Sequence, residues 1–82
     1  MEANKKINNH FAKNLKHLRK INNISQEALG KVIGVDYSTI GKYETDQRSP
    51  SAENGIILSH YFGYTYDEMI TKDLTTETNN SK

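Results

Sequence analysis

Among 82 residues there is no cysteine, no tryptophan, a single proline and only two phenylalanines. Without cysteine there is no disulfide framework and no thiolate metal site, and such a chain suits a reducing cytoplasm. No apolar run approaches the roughly 20 residues that a membrane helix needs, and no signal-peptide pattern opens the sequence. Neither sign of charge dominates: eleven Lys and Arg stand against ten Asp and Glu, a formal net of +1. A chain this short supports one core. His10 and His17 sit among polar residues with no carboxylate or cysteine at ligand spacing, so neither a metal nor a cofactor is expected. No nucleophile–base pair, paired carboxylates or phosphate loop can be picked out, which argues against an enzyme. These absences describe a small, soluble, cytoplasmic protein with no membrane segment.

What is present is concentrated between Ser25 and Glu44, SQEALGKVIGVDYSTIGKYE. Ser25 suits the cap of a first short helix, its hydroxyl accepting a backbone N–H left free in the opening turn. Ile24 before the cap and Leu29 within the helix can close a hydrophobic staple. The arrangement recurs one helix later, with Asp36 as cap and Val35 against Ile40. Leu29, Val32 and Ile33 form one apolar stripe, and Ile40 and Tyr43 form the next. Gly30 leaves room for a helix to cross closely, and Gly34 can take the positive φ that ends a helix sharply. Two amphipathic helices at a steep angle across a glycine turn make a helix-turn-helix.

Gln26, Gly30, Gly34, Val35, Ile40 and Glu44, followed by Pro50-Ser51, resemble the Cro and lambda-repressor type of helix-turn-helix DNA-binding domain, within the xenobiotic-response-element-like regulators. Leu15, Leu18 and Arg19 match that family's first helix. Leu58, Phe62, Gly63 and Asp67-Glu68-Met69 match its fourth and fifth. The resemblance runs from about Phe11 to Ile70. It implies an all-α, compact five-helix lambda-repressor-like domain with the helix-turn-helix at helices 2 and 3. The expected helices are 8–22, 26–33, 37–45, one capped by Ser49 with Pro50 in its first turn and ending near Phe62, and a short one capped by Thr65. Residues 1–7 are expected to form a flexible arm and 71–82 a disordered polar tail around the domain at 8–70.

The resemblance also assigns roles. Tyr37, Ser38 and Lys42, on the solvent face of helix 3, would contact base edges in the major groove. Gln26 and Thr39 would contact phosphates, and Gln47 and Arg48 in the following loop would clamp the backbone. Lys5 and Lys6 could reach a phosphate too, although lysines near a terminus are more often plain solubilising charges. Arg19 would reach from helix 1 to Glu44 in a structural salt bridge, where an arbitrary surface arginine would have no fixed partner. Charge is polarised as such a face requires. Through Arg48 nine cations stand against five acids, and from Ser49 onward two cations stand against five acids.

Three positions depart from the family pattern. Gly41 lies mid-helix, at a cost of about 1 kcal/mol relative to alanine. Asp46 stands where a glycine usually ends helix 3. Gly55 replaces a usual leucine, so a neighbour must fill its volume. On the family pattern Ala52, Ile56, Leu58 and Phe62 face the core, which leaves Ile57 and Tyr61 one turn apart on the outside. With Tyr64 and Tyr66 they suggest a two-fold dimer interface, against the plainer reading of isolated exposed apolar residues. The expected function is sequence-specific binding of double-stranded DNA, at a palindromic operator, by a homodimeric transcriptional regulator of the repressor type. The alternatives are the DNA-binding antitoxin of a toxin–antitoxin pair, or a protein-interaction module that has lost its DNA contacts.

Overall fold

The core is assembled from every helix: Phe11, Leu15 and Leu18 from the first, Leu29 from the second, Ile40 and Tyr43 from the third, Leu58 from the fourth and Met69 from the fifth. The computed structural model describes residues 9–76. Within them run α1 (Phe11–Ile21), α2 (Gln26–Ile33), α3 (Tyr37–Glu44), α4 (Ala52–Tyr61) and α5 (Tyr66–Thr71), with no strand. The expected arm at 1–7 lies outside the described residues.

Each helix start has a local cause. Ser25, Asp36 and Ser51 cap α2, α3 and α4, their side chains accepting the amide protons of Ala28, Thr39 and Asn54. Thr65 opens α5 with a full capping box, as its hydroxyl accepts from Glu68 N and the Glu68 carboxylate accepts from Thr65 N. The α4 cap is thus Ser51, not Ser49, and Pro50 precedes the helix instead of occupying its first turn. Helix α1 also starts later than expected, at Phe11, whose N–H donates to the Asn9 side chain while His10 N donates to the Ile70 carbonyl. That last bond ties the start of α1 to the end of α5.

Helices α2 and α3 form the tightest pair. Gly34 ends α2 at φ +77°, a conformation that costs a glycine little. A methyl group at Gly30 would run into the Val35 carbonyl oxygen, so the corner can fold this tightly only over a bare Cα. The stripe on α2 is narrower than its sequence suggests: Leu29 and Gly30 are buried and Ile33 is partly so, whereas Val32 is exposed. Helix α3 ends at Glu44, and Asp46 takes φ +63°, the left-handed role that a glycine would otherwise fill.

Helix α4 is rotated from expectation. Its buried face is Gly55, Leu58 and Ser59, while Ala52 and Ile56 are exposed. The reason is Tyr66: a methyl group at Gly55 would lie 2.5 Å from its ring, so the tyrosine occupies the space that a leucine would have taken. The ring also meets Phe11 edge-on, with centroids 5.7 Å apart.

The chain after α5 is not a loose tail throughout. Leu74 is fully buried, and so is Asn14 of α1. Asn14 Nδ2 donates to the carbonyls of Met69 (2.9 Å) and Lys72 (2.7 Å), and its Oδ1 accepts from Leu74 N (3.0 Å). The expectation of a disordered segment from residue 71 is therefore corrected for 71–76, while 77–82 lie outside the described residues. An amide that meets three backbone groups sets the path of this strap, and the single leucine in a polar run gives it an anchor. Lys13 adds an exposed ion pair with Asp73, at 3.1 Å. Truncating Leu74→Ala should lower stability by about 2–5 kcal/mol in urea unfolding, whereas Lys13→Ala should cost well under about 1 kcal/mol because its pair is exposed.

Candidate nucleic-acid interface

Helix α3 turns Ile40 and Tyr43 into the core and leaves Tyr37, Ser38 and Lys42 exposed, as the spacing of its apolar residues predicts. Lys42 has no ion pair among the described residues, nor has Arg48. Arg48 lines a small depression together with Phe11, Tyr43 and Tyr66. Two cations without acidic partners thus lie on α3 and on the loop that follows it. Among the described residues no group of three or more His, Asp or Glu is placed to hold a metal ion.

The opening of α3 is organised by Asp36. One carboxylate oxygen accepts the Thr39 amide at 3.0 Å, the Thr39 hydroxyl at 2.7 Å and the Ser38 hydroxyl at 3.2 Å. The bonds from Thr39 are the main cause that holds the Asp36 carboxyl below its ordinary value. Thr39 therefore has both of its donors on Asp36, and a phosphate contact would require it to release one. The Gln47 amide is engaged as well, donating to the Thr45 hydroxyl at 2.7 Å.

The other end of α3 is held by Glu44, whose side chain is 2 % exposed. Arg19 Nε donates to Oε2 at 2.5 Å and Nη2 to Oε1 at 3.1 Å, so the guanidinium grips the carboxylate with two nitrogens. Arg19 Nη1 also donates to the Ile24 carbonyl, just before α2. The salt bridge expected between helices 1 and 3 is present. Gln26 joins it: Nε2 donates to Glu44 Oε1 at 3.1 Å, so the side chain expected on a phosphate also ties α2 to α3. Sequence reasoning missed this link. Its signal was Gly41, because the Gln26 amide lies over the space where a side chain at 41 would stand.

The apolar surface expected for a partner divides. Ile57 and Tyr61 are outward, 37 % and 49 % exposed, and Ile56 joins them at 41 %. Tyr64 and Tyr66 instead pack against the core. The sequence reading missed Ile56 because it assumed the usual rotation of α4.

Comparison with known proteins places this geometry. A family model described as helix-turn-helix matches residues 15–69. The chain is 31 % identical over 62 residues to control protein C.SmaI of Serratia marcescens, covering 76 % of this chain and 74 % of that protein. It superposes on the P22 c2 repressor protein, solved in complex with a synthetic operator, with a TM-score of 0.68 and 30 % identity. That match covers 72 % of this chain and 89 % of the repressor chain. The restriction-modification controller protein C.AhdI of Aeromonas hydrophila gives a TM-score of 0.64 at 32 % identity, over 73 % and 91 % of the two chains.

The nearest atoms to a Cβ at Gly41 would be those of the Gln26 side chain, at an ordinary contact distance of 3.4 Å. Gly41→Ala should therefore stabilise the protein, by up to about 1 kcal/mol in thermal or urea unfolding. A stabilised variant with weakened DNA binding would show that the α3 backbone lies directly against the duplex at this point.

Proposed function

Starting from its membership of the Cro and lambda-repressor type of helix-turn-helix family, which makes this chain a DNA-binding regulator of transcription, we propose that it acts as a homodimeric repressor on a palindromic operator in the cytoplasm. The observation that carries the reading is the state of α3: its outer face is exposed, and its far end is anchored by Arg19 and Gln26 on Glu44. A helix so held enters a groove as a rigid body, with little ordering left to do on binding.

In this reading Tyr37, Ser38 and Lys42 contact base edges. Tyr37 has a hydroxyl and a ring that suits a thymine methyl, and Lys42 suits guanine or a phosphate. Arg48 contacts the backbone, and Gln26 offers its second N–H to a phosphate while the first stays on Glu44. Thr39 reaches a phosphate only by exchanging a bond it already makes, whereas Gln47, like Gln26, has a second N–H beside the one it gives to Thr45. Similarity to two controller proteins as well as to a repressor supports a second form of the same reading, in which the regulated genes are those of a restriction-modification system. Either way the partner is double-stranded DNA and the role is not enzymatic. The exposed residues Ile56, Ile57 and Tyr61 support a two-fold seam through α4, without Tyr64 and Tyr66, which pack against the core.

Duplex affinity should fall steeply with salt, as lysines and arginines displace counterions from the phosphates. Titrations at two salt concentrations test this, and no binding even at low salt would remove the reading.

A separate expectation concerns the seam. Ile57→Glu would set two carboxylates against an apolar contact across the two-fold axis, without partners. The variant should keep its helical circular dichroism, sediment as a monomer, and lose affinity for a full palindrome far more than for a half-site. An unchanged dimer would place the interface elsewhere.

A further inference from the structure

The leading edge of α3 is unusual in where its protons go. Ser38 and Thr39 both direct their hydroxyls to the same oxygen of Asp36. A hydroxyl carries one donor and two acceptor lone pairs, whereas an ionised carboxylate can only accept. With the Asp36 carboxyl held below its ordinary value, it is ionised at neutral pH and Ser38 must be the donor in that pair. Asp36 and Ser38 are both exposed, so what Ser38 presents to the surroundings is a pair of lone pairs. The second carboxylate oxygen of Asp36 receives no hydrogen bond among the described residues, and it too is an acceptor. Between them, the Asp36 and Ser38 side chains present acceptors and no free proton.

Base edges in the major groove differ in this respect. Adenine and cytosine present an amino group, at N6 and N4, whereas guanine presents N7 and O6 and thymine presents O4, all acceptors. Resting on the placement of α3 in the major groove, we propose that Ser38 reads adenine or cytosine on the strand it contacts, and that Asp36 is the positioning residue that sets this preference by holding the Ser38 proton. Guanine or thymine at that position would meet lone pair against lone pair, unless Ser38 broke its bond to Asp36 and turned.

The test begins with selection of sites from a random duplex pool by the full chain. Competition binding against all four bases at each operator position then gives a preference profile. One position should favour adenine or cytosine over guanine or thymine by several-fold, on the scale of about one hydrogen bond kept or lost. Ser38→Ala, an exposed truncation, should flatten that position alone. Asp36→Gly should also flatten it, because glycine caps a helix nearly as well as aspartate but takes no proton from Ser38. Asp36→Asn should keep the preference, since its carbonyl still accepts from Ser38, while binding all sequences more tightly for want of a negative charge near phosphates.

A preference that survives Ser38→Ala would overturn the inference. So would Asp36→Gly and Asp36→Asn that both change affinity uniformly and leave the profile intact. A profile flattened by Ser38→Ala but grouping the bases otherwise, as purine against pyrimidine or A·T against G·C, would overturn it too, with DNA binding itself left standing. Failure to enrich any motif would instead remove the placement of α3, and this inference with it.

Discussion

One buried carboxylate joins three helices. Glu44 receives Arg19 from α1 and Gln26 from α2, and it lies at the end of α3, the helix whose position relative to the other two decides what the molecule presents. A charge this far from water has to be matched: removing one partner of a buried pair typically costs about 3–5 kcal/mol, because the other is left uncompensated. Since Arg19 also holds the Ile24 carbonyl, the same guanidinium orients the turn into α2. The helix-turn-helix is thus held twice, by the close approach of the Val35 carbonyl to Gly30 at its corner and by the Glu44 cluster at the open end of its angle.

The opposite side of the domain is held differently. Asn14 takes three backbone bonds from the end of α5 and the strap beyond it, and Leu74 closes the core there. Asp73 organises the strap's turn, where the Thr75 hydroxyl, with help from Lys13, lowers its carboxyl to about 2. The strap fixes α5, α5 delivers Tyr66 to Gly55, and that contact rotates α4 until Ile56, Ile57 and Tyr61 face outward. The exposed apolar surface of α4 is therefore a consequence of packing on the inner side of the same helix.

These two supports match the division of charge along the chain. The basic half carries α1, α2, α3 and Arg48, while the acidic half carries α4, α5 and the strap. A net charge of +1 hides this arrangement, in which the half that bears α3 carries nine cations against five acids. Within the basic half the exception is the opening of α3, where Asp36 is both the helix cap and the group that decides which way neighbouring hydroxyl protons point.

Local chemistry was legible in the sequence wherever a residue acts on its near neighbours. Ser25, Asp36 and Thr65 as caps, Gly34 as a left-handed stop and the 3–4 spacing of Phe11, Leu15 and Leu18 each act within a turn or two, so α2 and α3 and the outward face of α3 could be placed from residues alone. The pairing of Arg19 with Glu44 spans 25 residues and was reached through family resemblance, not through spacing. What only the tertiary structure decided lies where partners distant in the chain compete for one volume or one proton. Nothing local says that Tyr66 fills the space above Gly55, that Asn14 meets backbone groups about 55–60 positions away, or that Leu74 in a polar run finds a core. A hydrophobic pattern records how much apolar surface a helix has. Which part of it is covered depends on the shape of the neighbour that arrives, and that is a property of the assembled core.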